Sequence, residues 1–371
     1  MKIAFDGRPA QRPAHSYRRV LELLVVAARD VGLDVELWAD GELHPECVSL
    51  VSATLAFPTD GEARDASALW TPAQSVMTYR DGVTVSTVCD VNPLLPDGRN
   101  SIARWVRAHR FRGRVDELSE ASWRVSTDSE DAARRLAEAF PAHADKLRVV
   151  PLYAHPSLRR MPEARRDDLL AELELGAGYI FFVGSFRRHK NWMGLMKAYA
   201  MCPETLRKDY PLVFSGPVHR DLPRAMRLMA SLGITDTVRI LGETPERYMA
   251  ALYSGAELFA FPTLMEGFGL PPLEAMQCGV PVIASDRTAV PEVLGEAARY
   301  VDPTDLRALS DVMQEVLGSP GQREQMAEAG LARAAEFGPR RTGEAIFNIL
   351  NETHESPKER TNEACRKPWR R

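Results

Sequence analysis

Two carboxylates stand eight residues apart in the stretch Glu266-Gly267-Phe268-Gly269-Leu270-Pro271-Pro272-Leu273-Glu274. The glycines between them let a backbone approach a ligand closely. The Pro-Pro pair suits the first positions of a helix, where no N–H is needed. A glycine loop running into a helix start offers bare N–H groups to an anion, phosphate above all. Carboxylates repel anions, so Glu266, before the loop, and Glu274, expected in the first helical turn, flank the anion position rather than fill it. What a carboxylate accepts well is a pair of hydroxyls. A ligand with a polyol on each side of a diphosphate meets both demands, with a sugar at one Glu and a ribose at the other. That ligand is a nucleotide-sugar. Taken singly, each residue has a blander reading: Glu274 as a charge favoured by the helix dipole, Glu266 as a solvated loop charge. A dehydrogenase-type dinucleotide loop is the other formal reading, with Asp286 closing a later strand. Its third glycine would fall on Pro272, whose ring blocks close helix–strand packing.

The elements around this loop repeat a pattern. "KIAF", "DVELWA", "VTVSTVCD", "WRVST" and "LRVVPLY" read as strands. Helical stretches separate them: "SYRRVLELLVVAARDVG", then 101–112, then 129–140. Strands alternating with helices of this length indicate parallel βαβ units. "SLRRMPEARRDD", at 157–169, breaks the apolar pattern and reads as a linker. The pattern restarts with "YIFFVGS", "PLVFSGP", "VRILG", "LFAFPT" and "VPVIAS". Such continuous apolar strands are those buried on both faces. The expected class is α/β, with two Rossmann-like doubly wound domains facing a central cleft. Expected boundaries are 1–165 for the first domain, 166–338 for the second, 339–352 for a C-terminal helix and 353–371 for a disordered polar tail.

Bulk properties agree. A chain of 371 residues exceeds the size at which one core stops growing, so two domains are the default. Hydrophobic residues make up 45% and charged ones 26%, enough to build sizeable cores. A net charge of −4 gives no bulk attraction to nucleic acid. Cysteines 47, 89, 202, 278 and 365 are scattered without a C-x-x-C, which argues for reduced thiols in a cytoplasmic setting and against a zinc site. The N-terminal "MKIAFDGRP" reads as a strand and turn rather than a signal peptide, and no apolar run is long enough to span a membrane.

"FPTLMEGFGLPPLEAMQCGVPVIAS" followed by "AVPEVLGEAARYVDPTD" resembles the donor-binding half of retaining GT-B glycosyltransferases of family four, with their E-x7-E motif. The resemblance implies that Glu274 binds the ribose and that Glu266 meets the donor sugar near its anomeric carbon. The N–H groups of Gly267, Phe268, Gly269 and Leu270 would serve sugar and phosphates. "FFVGSFRRHKNWMGLMKAY" supplies the matching cation loop. Gly184 and Lys190-Asn191 fit it, and Lys190 would neutralise the departing diphosphate. The neighbouring arginine slot holds His189, with Arg187 and Arg188 as substitutes. Arg239 and Ile240 align with the strand end that meets the base through its main chain. No DxD occurs in a loop, so the implied reaction needs neither metal nor cofactor.

The first half departs from that family. "DGRPAQRPAHSYRR" lacks the usual glycine pair, leaving His15 as a candidate in the shortened loop. The family's His-Asp-x-x-Pro becomes "CDVNP", so Cys89 takes the sugar-facing slot while Asp90 and Pro93 remain. Cys89 as a nucleophile is discounted, since single cysteines on apolar strands are mostly packing residues. On a helical wheel Ile102, Trp105, Val106 and His109 share one face, opposite Arg104, Arg107, Arg110 and Arg114. That face either packs inside or brings residues 102–114 to an anionic membrane surface. The implied function is hexose transfer from a nucleoside-diphosphate sugar, with a lean to GDP-mannose, to an unidentified glycan, lipid-linked or small-molecule acceptor. The alternative is a non-catalytic nucleotide-sugar-binding subunit that needs a partner chain. A GT-B-fold sugar-nucleotide epimerase lacks the E-x7-E string and is disfavoured.

Overall fold

A computed structural model describes residues 1–11, 16–43, 45–51, 53–57, 65–72, 79, 82–94, 102–218 and 221–355. Its elements fall into two compact units. One comprises Met1–Tyr153 with the chain from Phe337 onward, the other Ala154–Glu336.

In the first unit β1 (Lys2–Asp6), β2 (Asp34–Trp38), β3 (Ala53–Leu55), β4 (Ala68–Thr71), β5 (Val83–Thr87), β6 (Arg124–Thr127) and β7 (Leu147–Val149) form a parallel sheet. Its order is β3-β2-β1-β4-β5-β6-β7. Helices cover such a sheet on both faces, which is why Ile3, Ala4 and Phe5 are fully buried. The middle strands also bury hydroxyls, and these satisfy one another. Thr71 Oγ1 donates to Ser86 Oγ at 2.9 Å, and Thr87 Oγ1 and Ser126 Oγ lie 2.8 Å apart. Pairing of this kind is what makes buried polar groups tolerable.

Three expectations change here. The helix Ile102–Ala121 outruns the expected 101–112 and buries Phe111, Val115 and Leu118, a stripe one turn further along. The face with Trp105 and His109 points outward: Trp105 is 65% exposed and stacks on His109 with ring centroids 5.2 Å apart. The side chains of Ile102 and Arg104 lie outside the described ones. The last helix runs from Pro339 to Glu355, so residues expected in a tail are helical through Glu355; residues 356–371, including Cys365, lie outside the described chain. This helix belongs to the first unit. A Cβ on Gly343 would sit 2.2 Å from the Ala27 carbonyl oxygen, so only glycine permits this approach to the helix Ser16–Asp30. Glu352 fixes the far end with ion pairs to Arg124 at 2.9 Å and Arg148 at 2.8 Å.

In the second unit β8 (Tyr179–Val183), β9 (Leu212–Ser215), β10 (Val238–Ile240), β11 (Ala256–Phe261), β12 (Val282–Ser285) and β13 (Arg299–Val301) form a second parallel sheet. Its order is β10-β9-β8-β11-β12-β13. Numbered from β8 this is 3-2-1-4-5-6, the doubly wound order of nucleotide-binding sheets. Phe181, Phe182, Phe214, Phe259 and Phe261 are fully buried in its middle strands. Full burial of such a side chain contributes roughly 1.5–3 kcal/mol, so these strand ends are firmly held. The segment read as a linker is partly a helix, Glu163–Ala171, whose Leu170 is fully buried. One apolar anchor among charged residues gave it the composition of a linker.

Candidate functional site

In a doubly wound sheet, ligands bind beyond the carboxyl ends of the strands where the strand order reverses. In the second unit that point lies between β8 and β11. Two loops leave it, Gly184 to Asn191 after β8 and Pro262 to Gly269 after β11. They are joined directly: Leu264 N donates to the His189 carbonyl at 2.7 Å. Thr263 is fully buried, and its single hydroxyl proton is shared between the same carbonyl and Glu266 Oε1, each 2.9 Å from Oγ1.

This junction brings Lys190 and Glu266 together from positions 76 residues apart. Lys190 Nζ donates to Glu266 Oε1 at 2.6 Å, with the side chains only 16% and 12% exposed. Lys190 also lies 5.2 Å from the centre of the Phe261 ring, a cation–π contact. Both donors reach Glu266 through Oε1, and no described residue donates to its Oε2. The arrangement pairs a cation with a carboxylate held through one of its two oxygens.

Gly269 caps the helix Leu270–Gln277 in the left-handed region, φ 104°, with no side-chain cap. A residue with a Cβ is strained there. Leu270 opens the helix and is followed by Pro271 and Pro272, which contribute no N–H. Of the first three helical residues only Leu270 therefore carries an N–H. Phe268 is buried, so its ring anchors the loop. Gly267 and Gly269 are buried beside it. Glu274 is the fifth helical residue rather than a first-turn one, and it is 5% exposed. The helix dipole therefore does not account for it. Its Oε2 accepts from the Tyr253 hydroxyl at 2.8 Å. Burial and the Glu274 charge push the Cys278 thiol up.

Gly184 follows β8 and donates its N–H to the Ser215 carbonyl at 2.9 Å. Arg187 and Arg188 are exposed. His189 is pulled down to about 4, first by burial and then by the Lys190 charge, against an opposing pull from Glu266. At neutral pH it is uncharged, so it does not replace an arginine electrostatically. Asn191 sits in the left-handed region at φ 54° and its Nδ2 donates to the Pro303 carbonyl at 2.7 Å. It shapes the loop. Arg239 lies on the edge strand β10, its side chain exposed and 3.7 Å from Glu174; Ile240 ends that strand, partly buried.

Cys89 and Asp90 belong to the first unit, just past β5. Asp90 Oδ1 accepts from Asn92 N at 2.8 Å. Cys89 hydrogen-bonds Asp128, and burial plus the charges of Asp128 and Asp90 hold its thiol well above the ordinary range. A protonated thiol is no nucleophile. Burial raises Asp128 to about 7, with Asp90 adding to the effect and Cys89 opposing it. His15 lies outside the described residues. Sequence reasoning missed Thr263, Tyr253 and Asp128. Only the position of Thr263, closing "FPT", carried a signal, because strand ends at a reversal point build sites.

The fold is a two-domain, Rossmann-like GT-B fold, and the second of its units carries a nucleotide-binding strand order with a Lys–Glu pair at the reversal. Residues 171–333, within that unit, match the family described as Glycosyl transferases group 1. Over 160 residues the chain is 38% identical to the O-antigen chain mannosyltransferase B of Escherichia coli, covering 43% of this chain and 42% of that protein. Over 253 residues it is 31% identical to the D-inositol 3-phosphate glycosyltransferase of Corynebacterium urealyticum, covering 63% and 57%. The chain thus spans about half the length of these curated relatives. The structure superposes on sucrose-phosphate synthase from Thermosynechococcus elongatus with a TM-score of 0.72 over 96% of this chain and 99% of that one, at 19% identity. At that identity the likeness concerns the fold.

Proposed function

We propose that the protein is a retaining, metal-independent glycosyltransferase that moves a hexose from a nucleoside-diphosphate sugar to a glycan, lipid-linked or small-molecule acceptor. The observation that carries this reading is the Lys190–Glu266 pair at the β8/β11 reversal, beside the buried glycine loop that opens the helix Leu270–Gln277. As the glycosyl bond breaks, negative charge grows on the leaving diphosphate. A preorganised ammonium in a partly desolvated site stabilises that charge, the task a metal would otherwise have. The N–H groups of Gly267 to Leu270 hold phosphate and sugar oxygens. Glu266 Oε2 accepts a hydroxyl of the donor sugar, and Glu274, oriented by Tyr253, accepts from the ribose. The main chain at Arg239 and Ile240 meets the base. With His189 neutral, Arg187 and Arg188 are the remaining cations for the diphosphate.

The match to a relative named a mannosyltransferase supports GDP-mannose as the first donor to try. The test is a transfer assay with GDP-mannose and the UDP-hexoses, reading nucleoside diphosphate release and the anomeric configuration of the product by proton NMR. Release with retained configuration is expected. Inversion, or no release from any donor with or without acceptors, would overturn the reading.

The four described cysteines are free, which suits the cytoplasm. Among the described residues no helix is long and apolar enough to cross a membrane. The exposed Trp105 with exposed Arg107, Arg110 and Arg114 supports peripheral contact with anionic lipid. Co-sedimentation with phosphatidylglycerol vesicles, lost in Trp105→Ala, tests it.

A further inference from the structure

Thr288 adopts φ 61° and ψ −142°, a region that L residues rarely enter and that a β-branched residue enters only under constraint. Such conformations persist where the surroundings over-determine them. Here they do. On one side β12 ends at Ser285, whose Oγ accepts from Arg287 N at 3.2 Å, while Arg287 Nη2 pairs with Asp302 Oδ1 at 2.7 Å. On the other side the helix Ala289–Leu294 buries Ala289, Val290, Val293 and Leu294.

The constraint has one polar product. Thr288 Oγ1 donates its proton to the Arg287 carbonyl at 2.7 Å. That leaves an oxygen lone pair to accept from Glu266 N, 3.1 Å away and 22 residues earlier in the chain. Glu266 is therefore gripped twice, its carboxylate by Lys190 and Thr263 and its backbone by Thr288. The carboxylate contacts alone would let the loop pivot about Oε1. Fixing the amide as well sets where the second oxygen stands.

We propose that Thr288 is a positioning residue for glycosyl transfer, its strained backbone holding the Glu266 amide so that Oε2 meets the donor sugar. The proposal rests on the reading of Glu266 as the sugar-facing carboxylate. An unstrained residue at 288 would turn the hydroxyl elsewhere, so the strain is what the contact requires.

Three variants separate hydroxyl from strain. Thr288→Val keeps the shape and loses the acceptor. Thr288→Gly relieves the backbone and loses the acceptor. Thr288→Ser keeps the acceptor. The expected result is a kcat about tenfold lower in Val and Gly, the loss of one hydrogen bond's worth of orientation, with KM for the donor and Kd for the nucleoside diphosphate within about twofold of the parent. Serine should recover most of the rate. Amide hydrogen exchange across 262–269 should rise in Val and Gly but not in Ser. Should Thr288→Val fail to fold, Gly and Ser answer the same question. Parental kcat in Thr288→Gly, or unchanged exchange at the Glu266 amide, would overturn the proposal. A parent that transfers from no donor would instead sink the functional reading, and amide exchange would still decide whether Thr288 holds Glu266.

Discussion

Replacing Lys190 by Met removes the charge and keeps most of the side-chain volume. Its partner Glu266 is then left with Thr263 as its only described side-chain donor, in a site where its side chain is 12% exposed. Breaking a buried ion pair from one side costs about 3–5 kcal/mol, because the abandoned charge stays desolvated. Residual exposure of both partners puts this pair at the lower end, near ~3 kcal/mol. Glu266→Gln alone should cost less, since the ammonium has two other protons to turn toward water. The double variant removes both charges and should recover most of the loss, giving a coupling of about 2–3 kcal/mol, large for a contacting pair. Two units need not unfold together, so the readout is urea-dependent hydrogen exchange in peptides covering β8 and β11. The same proteins enter the transfer assay. Lys190→Met should lose at least about thirtyfold in kcat/KM, the equivalent of roughly 2 kcal/mol of transition-state stabilisation. Strictly additive stabilities would show that the pair does not form in solution. Parental transfer by Lys190→Met would refute its role with the diphosphate.

Tyr253→Phe removes the hydroxyl that donates to Glu274 while keeping the ring in its aromatic cluster with Phe181 and Phe259, whose ring centroids lie 5.3 and 5.6 Å away. Hydrogen bonds to charged groups contribute about 1.5–3 kcal/mol, so calorimetric affinity for the nucleoside diphosphate should fall about tenfold, and Glu274→Gln should fall at least as far; unchanged affinity in both would remove Glu274 from the ribose. Asp128 titrates near 7 in the fold and near 3.8 as a free carboxyl, so the folded chain binds this proton more tightly. Its contribution is present below about pH 4 and is lost as pH rises through about 7; Asp128→Asn should flatten that decline in the first unit, and an unaltered pH profile by hydrogen exchange would show Asp128 ionised. Cys89, protonated beside Asp128 and Asp90, should react with iodoacetamide more slowly than a free thiol at pH 8, and Cys89→Ala should keep measurable transfer. Rapid alkylation with loss of transfer would reopen the cysteine as a reactive group.

The second unit was readable because its strands are buried on both faces and its punctuation is local. "YIFFVGS" and "LFAFPT" could only be inner strands, and Gly269, Pro271 and Pro272 set a helix start by their own backbone preferences. Polar elements were harder. The helix Glu163–Ala171 shows one buried leucine among charges, and β4, four residues long, has too few positions to display a period. Helix Ile102–Ala121 offered two apolar stripes, and the wheel over its first turns selected the one that faces out. For the site, residue types were legible but their pairing was not. Lys190 meets Glu266 only because Leu264 and Thr263 tie two loops through the His189 carbonyl, and Tyr253 reaches Glu274 only because an aromatic cluster sets its ring. Those are consequences of tertiary packing, to which no local spacing in the chain corresponds.

The central claim is that a nucleoside diphosphate binds the second unit through Lys190. The direct test is an equilibrium titration of the parent and Lys190→Met with GDP, UDP, ADP and dTDP. One of the four should bind the parent at one site per chain and bind Lys190→Met at least about tenfold more weakly, as expected from losing a charge-assisted contact to the diphosphate. Binding of none of them, or equal affinity in the two proteins, would contradict the account.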